Sequence, residues 1–288
     1  VDANIPPKFI TLHDVTIDVS RAFEFGFTDM VIYSKRYELA YLNPFSFLKT
    51  VEASLMDRDN GILGVHARWH IAPGFEVRGQ GLVDDIVASK IGTGYWSNKF
   101  AWQFGGMWAG AFGVNDLDWS AEWIRVEPYT YSHFSPDNRF STSQTLLGAQ
   151  IGPNAMSYWT ALRWKPSERW LAALEAQYIE RGENVYDSTG QLLYNAGQDF
   201  TYSITKESSF SHTHLLDGRR VNILTLTANV EFEPWRGLVL FARATKSAVD
   251  YPNVAPITED VSIAGHSVSL APHVFSQTIL AVGARALF

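Results

Sequence analysis

Three side chains able to contact a sugar follow Pro128 at short intervals. Tyr129, Tyr131 and His133 lie where a predicted strand ends, and aromatic rings at such a rim can stack on sugar rings through apolar and CH contacts. An ordinary interfacial belt is the other interpretation, because aromatic rings collect at the edges of every membrane barrel. These three are the first candidate polysaccharide-binding residues.

Two neighbouring acids, Asp84 and Asp85, follow an alternating segment. They could orient sugar hydroxyls or hold a cation such as calcium, which prefers oxygen ligands. Neighbouring residues of a strand point to opposite faces, so the pair forms one site only if the strand has already ended. Solvation in a barrel interior or a loop is the alternative, and no metal site is predicted.

A charged cluster lies on adjoining faces of one predicted hairpin: His66, Arg68, His70, Glu76 and Arg78. Such a cluster could guide an anionic polymer through or against a barrel. The simpler interpretation is a charged network that satisfies the polar groups of a barrel interior. We expect these five side chains to face the lumen.

Composition excludes several function classes. The chain has no cysteine, which excludes disulfides, thiolate metal sites and cysteine nucleophiles. It contains neither a Gly-x-Ser-x-Gly nucleophile elbow nor a glycine-rich phosphate loop. The net charge of −7 leaves no basic footprint for a nucleic acid. We therefore expect a protein that is not an enzyme and needs no cofactor.

The elements that must position these residues alternate with a period of two. In residues 62–72, one face carries Leu63, Val65, Ala67, Trp69 and Ile71, and the other carries Gly64, His66, Arg68 and His70. Such strict alternation predicts a strand between an apolar and a polar medium. Aromatic residues make up 14% and charged residues only 18%, against roughly 25% charged in soluble domains. No window has the roughly 18 apolar residues of a membrane-spanning helix.

These patterns predict an all-β fold: one transmembrane antiparallel barrel over residues 1–288, of roughly 12–18 strands. The predicted strands are 9–19, 22–30, 61–72, 75–86, 99–110, 118–127, 142–150, 156–165, 169–181, 221–233, 236–248 and 274–288, with a weaker one at 192–207. Long polar stretches between them, 87–98, 129–141, 182–220 and 249–273, are predicted extracellular loops. A short helix is expected near residues 44–56, plugging or rimming the barrel.

The last predicted strand ends on Phe288, on the apolar face of that strand. A terminal aromatic in this position resembles the carboxyl-terminal signal of bacterial outer-membrane proteins. The resemblance implies recognition by the barrel assembly machinery.

Four stretches, in sequence order, resemble the bacterial capsule-assembly family named Wzi, whose members are outer-membrane barrels with lectin character. They are Phe25–Asp29 leading through Ile32-Tyr33 to Tyr41–Phe45, then Gly79–Asp85, then Ala121–Trp123 with Pro128–His133, and finally Leu147-Gly148 with Ile151–Asn154. Thr28 stands where the family commonly has Ser, and Trp123 where it often has Tyr, which puts any sugar contact there in doubt. The family's chains also have further amino-terminal strands, so the resemblance implies that this barrel lacks its start.

The resemblance implies a non-enzymatic outer-membrane protein that binds or anchors surface polysaccharide. Two other hypotheses stay open: a porin-like channel lined by the polar faces, and a structural subunit of a larger envelope complex. The expected location is the bacterial outer membrane, crossed many times. Expected partners are surface polysaccharide, outer-membrane lipid, the assembly machinery and other envelope proteins.

Overall fold

The protein is an all-β structure built on one large antiparallel sheet. The computed structural model describes residues 6–142, 145–187, 189–202, 213–252, 261–263, 266–268 and 274–286. Eleven long strands form the sheet, in the order β1-β2-β3-β4-β5-β6-β9-β10-β13-β14-β17. The short strands β7–β8, β11–β12 and β15–β16 form three separate two-stranded ribbons between them.

The strand bounds are β1 Lys8–Asp18, β2 Phe23–Ser34, β3 Asn60–Ala72, β4 Phe75–Asp85, β5 Lys99–Ala109, β6 Leu117–Val126, β7 Ser141–Thr142, β8 Thr145–Leu146, β9 Ala155–Ser167, β10 Trp170–Glu183, β11 Val185–Tyr186, β12 Leu192–Tyr194, β13 Arg219–Trp235, β14 Leu238–Asp250, β15 Val261–Ile263, β16 His266–Val268 and β17 Val274–Ala286. One α-helix, α1, spans Leu48–Ser54. Single 3-10 turns occupy Leu39–Leu42, Ala88–Lys90, Ala111–Gly113 and Pro136–Asn138.

The long strands form a meander, because each pairs with the next long strand along the chain. In the described part of the chain, β1 pairs only with β2 and β17 only with β14, so these are the two outer strands of the sheet. The hairpin of β3 and β4 turns at residues 73–74, where Gly74 has φ +75°. A positive φ suits glycine, which has no Cβ to clash.

The two ends of the sheet differ in their connections. Tight turns join the strands at one end, the short-turn end, with residues 73–74, 168–169 and 236–237 as the shortest. Segments 35–59, 86–98, 127–154, 184–218 and 251–273 join them at the other end, the long-loop end. This asymmetry was predicted from the sequence and is typical of outer-membrane barrels.

The pairing of the strands puts the predicted polar and apolar side chains on opposite faces of the sheet, as expected. Cross-strand partners in an antiparallel sheet share a face, and His66 pairs with Gln80, Arg68 with Arg78 and His70 with Glu76. We call this side the polar face. The opposite, apolar face carries Trp69 paired with Val77. The alternation predicted from the sequence is therefore confirmed.

Two small hydrophobic clusters are buried, and both lie at the long-loop end. One joins Met30, Ile32 and Ile62 on the polar face to Tyr131 and Phe140 from the segment 127–154. The other joins Val31 and Tyr33 on the apolar face to Tyr41 and Leu48. The core therefore consists of loop segments packed on one end of a single sheet.

The short helix was predicted correctly, but its proposed role as a plug is wrong. Leu48 of α1 packs on Val31 and Tyr33, which face away from the polar side because side chains alternate along β2. The backbone N–H of Leu48 also donates to the Asp29 carboxylate, which lies on that same face. The helix thus covers the apolar face at the long-loop end and does not lie on the polar side.

The predicted strand 142–150 is also wrong. Among the described residues of this stretch, 141–142 and 145–150, only Ser141–Thr142 and Thr145–Leu146 form strand, as a two-stranded ribbon. The backbone of the remainder bonds to its own neighbourhood, with Leu147 N donating to Phe140 O and Gly152 N to Ala149 O. The weaker strand at 192–207 is confined to Leu192–Tyr194 among the described residues, and residues 203–207 and Phe288 lie outside them.

Candidate functional site: the polar face and its cap

Polar side chains cross the polar face as a connected ladder. Gln80 Nε2 donates to Gln103 Oε1, and Gln103 Nε2 donates to Glu122 Oε2 at 2.6 Å. Further along the sheet, Thr225 and Ser247 hydroxyls lie 2.7 Å apart. The face therefore presents amides and hydroxyls that both donate and accept hydrogen bonds.

The predicted charged cluster lies on this face, and each of its four basic members lies within 4 Å of an acid. The shortest ion pair joins Arg68 to Glu24 at 2.6 Å. His70 lies 3.4 Å from Glu76, and His66 Nδ1 lies 3.7 Å from the Asp14 carboxylate. These pairs favour the interpretation as a charged network over an anion path, because both arginines lie next to acids.

The acidic partners were missed by sequence reasoning. Asp14, Glu24 and Glu122 come from strands other than the hairpin, and Arg78 lies 3.8 Å from Glu122. Period-two alternation could have placed Asp14 and Glu24 on the polar face. Only the strand order and register bring them next to the cluster.

The segment 127–154, which we call the cap, covers the polar face at the long-loop end. The backbone N–H of Tyr131 donates to Asp84 Oδ2 at 2.8 Å. Lys99 Nζ donates to the carbonyl of Ser132 at 2.9 Å. These bonds hold the start of the cap against β4 and β5.

The far part of the cap reaches the outer strand β1. Lys8 Nζ donates to the carbonyls of Arg139 and Ser141 at 2.9 and 2.8 Å. Ser34 Oγ donates to Asn138 Oδ1 at 2.7 Å. The cap leaves the sheet at β6, so its path from there to β1 and β2 bridges the strands between.

Asn154 fastens the other end of the cap. Its Nδ2 donates to the carbonyls of Gly182 and Asp217 at 2.8 and 3.0 Å, and its Oδ1 accepts from Leu216 N at 2.6 Å. The residue is fully buried and has φ +56°, a left-handed conformation that asparagine tolerates better than most residues. The cap and the segment 184–218 are thereby joined.

The predicted sugar-stacking tyrosines are structural parts of the cap. Tyr129 and Tyr131 are buried. Tyr129 Oη donates to Asn195 O at 2.6 Å, and Tyr131 Oη accepts from Ala149 N at 3.2 Å. Burial raises the pKa of both phenols to about 12. The expectation that their rings stack on sugar at an outer rim is therefore corrected: packing inside the cap covers them.

His133 is half-buried beside Phe134, with ring centroids 4.2 Å apart. Burial, helped by the nearby Lys99 ammonium, lowers the pKa of His133 to about 4. The imidazole is therefore neutral at ordinary pH. Phe134 itself is 62% exposed, so the ring available to a ligand in solution is the neighbour of the predicted residue.

The paired aspartates do not form one site. Asp84 is buried and bonds to the cap through Tyr131 N. Asp85 is exposed, and its carboxylate accepts from Ser97 Oγ at 2.7 Å and from Ile86 N at 2.9 Å. The predicted divergence of neighbouring side chains is borne out, so the joint role in polysaccharide binding is corrected.

Exposed aromatic rings on the long loops were not singled out from the sequence. Phe45 is 96% exposed and Tyr37 is 68% exposed, and both lie in the segment 35–59. Their positions outside the alternating strands, Phe45 directly after Asn43-Pro44, were the available signal. No group of three or more possible metal ligands occurs among the residues that the structure describes.

The comparisons with known proteins identify no family for this chain. No protein-family model matches the sequence, and no curated protein is significantly similar to it. Among solved structures, a copper transporter named OprC aligns with 97% of this chain and 43% of its own, at 8% identity and a TM-score of 0.37. The chain thus spans less than half the length of that structure, and similarity at this level carries no argument. Within the described ranges, no helix is long and apolar enough to cross a membrane.

Proposed function

We propose that this chain is a non-enzymatic outer-membrane β-barrel protein that binds or anchors surface polysaccharide at its long-loop end. The observation that carries the membrane part is the uncovered apolar face. Leu174 of β10 is 59% exposed and Trp69 of β3 is 49% exposed, although both belong to long strands of the sheet. Continuous apolar surface of this extent is unfavourable in water and favourable in lipid.

Aromatic rings at the short-turn end support the same placement. Trp170 and Phe232 stack with centroids 4.4 Å apart, and Phe75 meets Trp108 at 6.2 Å. Phe23 and Trp69 form a further pair at 6.4 Å. An aromatic belt of this kind is typical of the level where lipid headgroups meet the acyl chains.

The polysaccharide part is supported by two observations. The four segments quoted above resemble a capsule-assembly family in their order. The long loops also expose Tyr37, Phe45 and Phe134, whose rings can stack on sugar. Bacterial outer-membrane lipid, the assembly machinery and other envelope proteins are the further partners of this proposal.

A polysaccharide pull-down tests this part. Phe134→Ala together with Phe45→Ala should reduce retention of capsular or exopolysaccharide several-fold, because two stacking surfaces are removed. Phe112→Ala is the matched control and should retain binding, because Phe112 lies at the short-turn end and is 63% exposed, much like Phe134. Wild-type protein that retains no surface polysaccharide would contradict the proposal.

A porin-like channel is the second candidate, and the polar ladder favours it. The cap opposes it, because the cap places an apolar cluster with Tyr131 and Phe140 on the polar face. Planar-bilayer recordings separate the two. We expect no stable open conductance from wild-type protein, whereas steady ion conductance would support the channel.

A further inference from the structure

A cavity of about 360 Å³ lies between the cap and the polar face. Pockets for small molecules measure about 300–1,000 Å³, so the size suits a small ligand. Its floor is the sheet, which carries the polar Thr28, His66, Gln80 and Gln103 beside apolar side chains such as Met30, Leu82 and Ile124. Its roof carries Tyr131, Phe140 and Leu147 from the cap.

The floor offers hydrogen-bonding groups that the protein does not use up. Gln80 Nε2 donates to Gln103 Oε1, and Gln103 Nε2 donates to Glu122. Each amide nitrogen carries a second N–H. Among the described hydrogen bonds, none goes to Gln80 Oε1. The floor can therefore both donate to and accept from a ligand's hydroxyl groups.

The cavity also offers apolar surface near those amides. Leu147 of the cap is 44% exposed and lines the cavity, whereas the rings of Tyr131 and Phe140 are buried behind it. Leu82 and Ile124 of the sheet line the cavity as well. A sugar ring has a polar periphery of hydroxyls and apolar CH faces, so its chemistry matches a cavity lined by both amides and apolar side chains.

The charges around the cavity favour a neutral ligand. No lysine or arginine is among its lining residues in the described part of the chain. Thr28 Oγ1 donates to Asp14 at 2.6 Å, and Gln103 donates to Glu122. Two carboxylates thus stand directly behind the floor, and they would repel an anionic sugar.

We propose that this cavity binds one neutral sugar ring, held by Gln80 and Gln103 and covered by Leu147. The inference rests on the proposed function and names a site for it on the inner side of the cap. Gln80 is exposed toward the polar face, so the cavity opens to that side. The ring is either the end residue of a polymer or a free monosaccharide, and the experiment separates these sources.

The test is isothermal titration of the purified full chain in detergent with glucose, galactose, mannose and glucuronate. We expect saturable binding of at least one neutral hexose and weaker binding of glucuronate. Gln103→Leu and Gln80→Leu should each weaken the hexose about tenfold, because each removes hydrogen bonds to the ligand. Gln177→Leu, an amide of the same face on β10 outside the cavity, should stay within about twofold of wild type.

Thermal unfolding and far-UV circular dichroism confirm that each variant is folded. Ala101→Leu, which fills the cavity from its sheet side, gives a second measure and should also weaken the hexose. Equal affinities of wild type, Gln103→Leu and Ala101→Leu, or no saturable hexose binding, would overturn the inference.

A parallel pull-down with surface polysaccharide distinguishes this inference from the proposed function. If wild type and Gln103→Leu retain the polymer equally, the cavity is not its site, and the proposed function stands. If the hexose binds through Gln103 but no polymer is retained, the proposed function fails, and the cavity takes free monosaccharide. Loss of both ligands in Gln103→Leu supports the polymer end as the occupant.

Discussion

The two ends of the sheet are stabilised in different ways. At the long-loop end the cap covers the polar face and α1 covers the apolar face, and buried groups such as Asp84 and Asn154 bond within the protein. At the short-turn end no described segment covers either face as the cap and α1 do, and rings such as Trp170 stay exposed. The long-loop end therefore carries its own core, whereas the short-turn end depends on its surroundings.

This difference predicts that the largest loss of stability follows removal of the hydrogen bonds through which Asn154 holds the cap. Asn154→Ala removes three buried hydrogen bonds and places alanine at a positive φ. We expect a loss of about 4 kcal/mol in the free energy of unfolding. Denaturant unfolding in detergent measures it.

Asn229→Ala is the matched control. Asn229 lies on the polar face away from the cap, and its one side-chain bond goes to Glu231 at 3.3 Å. The expected loss is below about 0.5 kcal/mol. Similar losses in both variants would show that the two ends are equally stabilised.

The second prediction concerns acid. The pKa of His133 is lowered to about 4 from its ordinary value of 6.5, so the folded state favours the neutral imidazole. The resulting stability is present above pH 6.5 and is lost as the pH falls toward 4. Because one pKa unit corresponds to about 1.4 kcal/mol, the full loss in the free energy of unfolding is about 3 kcal/mol.

Denaturant midpoints of wild type and His133→Gln, measured between pH 7.5 and pH 4.5, isolate this contribution, because the carboxylates titrate in both proteins. We expect the wild-type midpoint to fall more steeply than that of the variant. Parallel curves would show that His133 is not buried in neutral form and that the cap is looser than described.

The third prediction concerns the apolar face, where the proposed function places lipid. Leu226 lies mid-strand on that face, and its neighbour Thr227 lies on the polar face beside Thr245. Leu226→Arg should cost about 2 kcal/mol or more in a bilayer. Thr227→Arg should cost much less, because it meets the polar side. Unfolding from lipid vesicles measures the loss in the free energy of unfolding for both variants. Equal losses would show that the two faces do not differ in their surroundings.

Local patterns predicted the strands well, because whether a residue lies on the apolar or the polar face follows from alternation within one strand. Alternation alone predicted the hairpin of β3 and β4, with His66 on the polar face and Trp69 on the apolar face. The helix position followed from Asn43-Pro44 and the run after it. The packing of the helix on the apolar face could not be predicted, because it depends on contact with β2.

The cap could not be predicted, because its contacts join residues far apart in sequence. Lys8 bonds to Ser141, and Ser34 bonds to Asn138, and no local signal connects them. For the same reason Tyr131 was predicted at an exposed rim. Aromatic rings near a strand end suit both a rim and a buried cap, and only the loop's path decides between these.

The central claim is that the apolar face contacts lipid. Because the chain has no cysteine, single Leu226→Cys and Thr227→Cys variants can carry nitroxide labels without other changes. In lipid vesicles, we expect the label at position 226 to collide mainly with oxygen dissolved in the membrane, and the label at 227 with a water-soluble nickel complex. Equal access of the nickel complex to both labels would contradict the account.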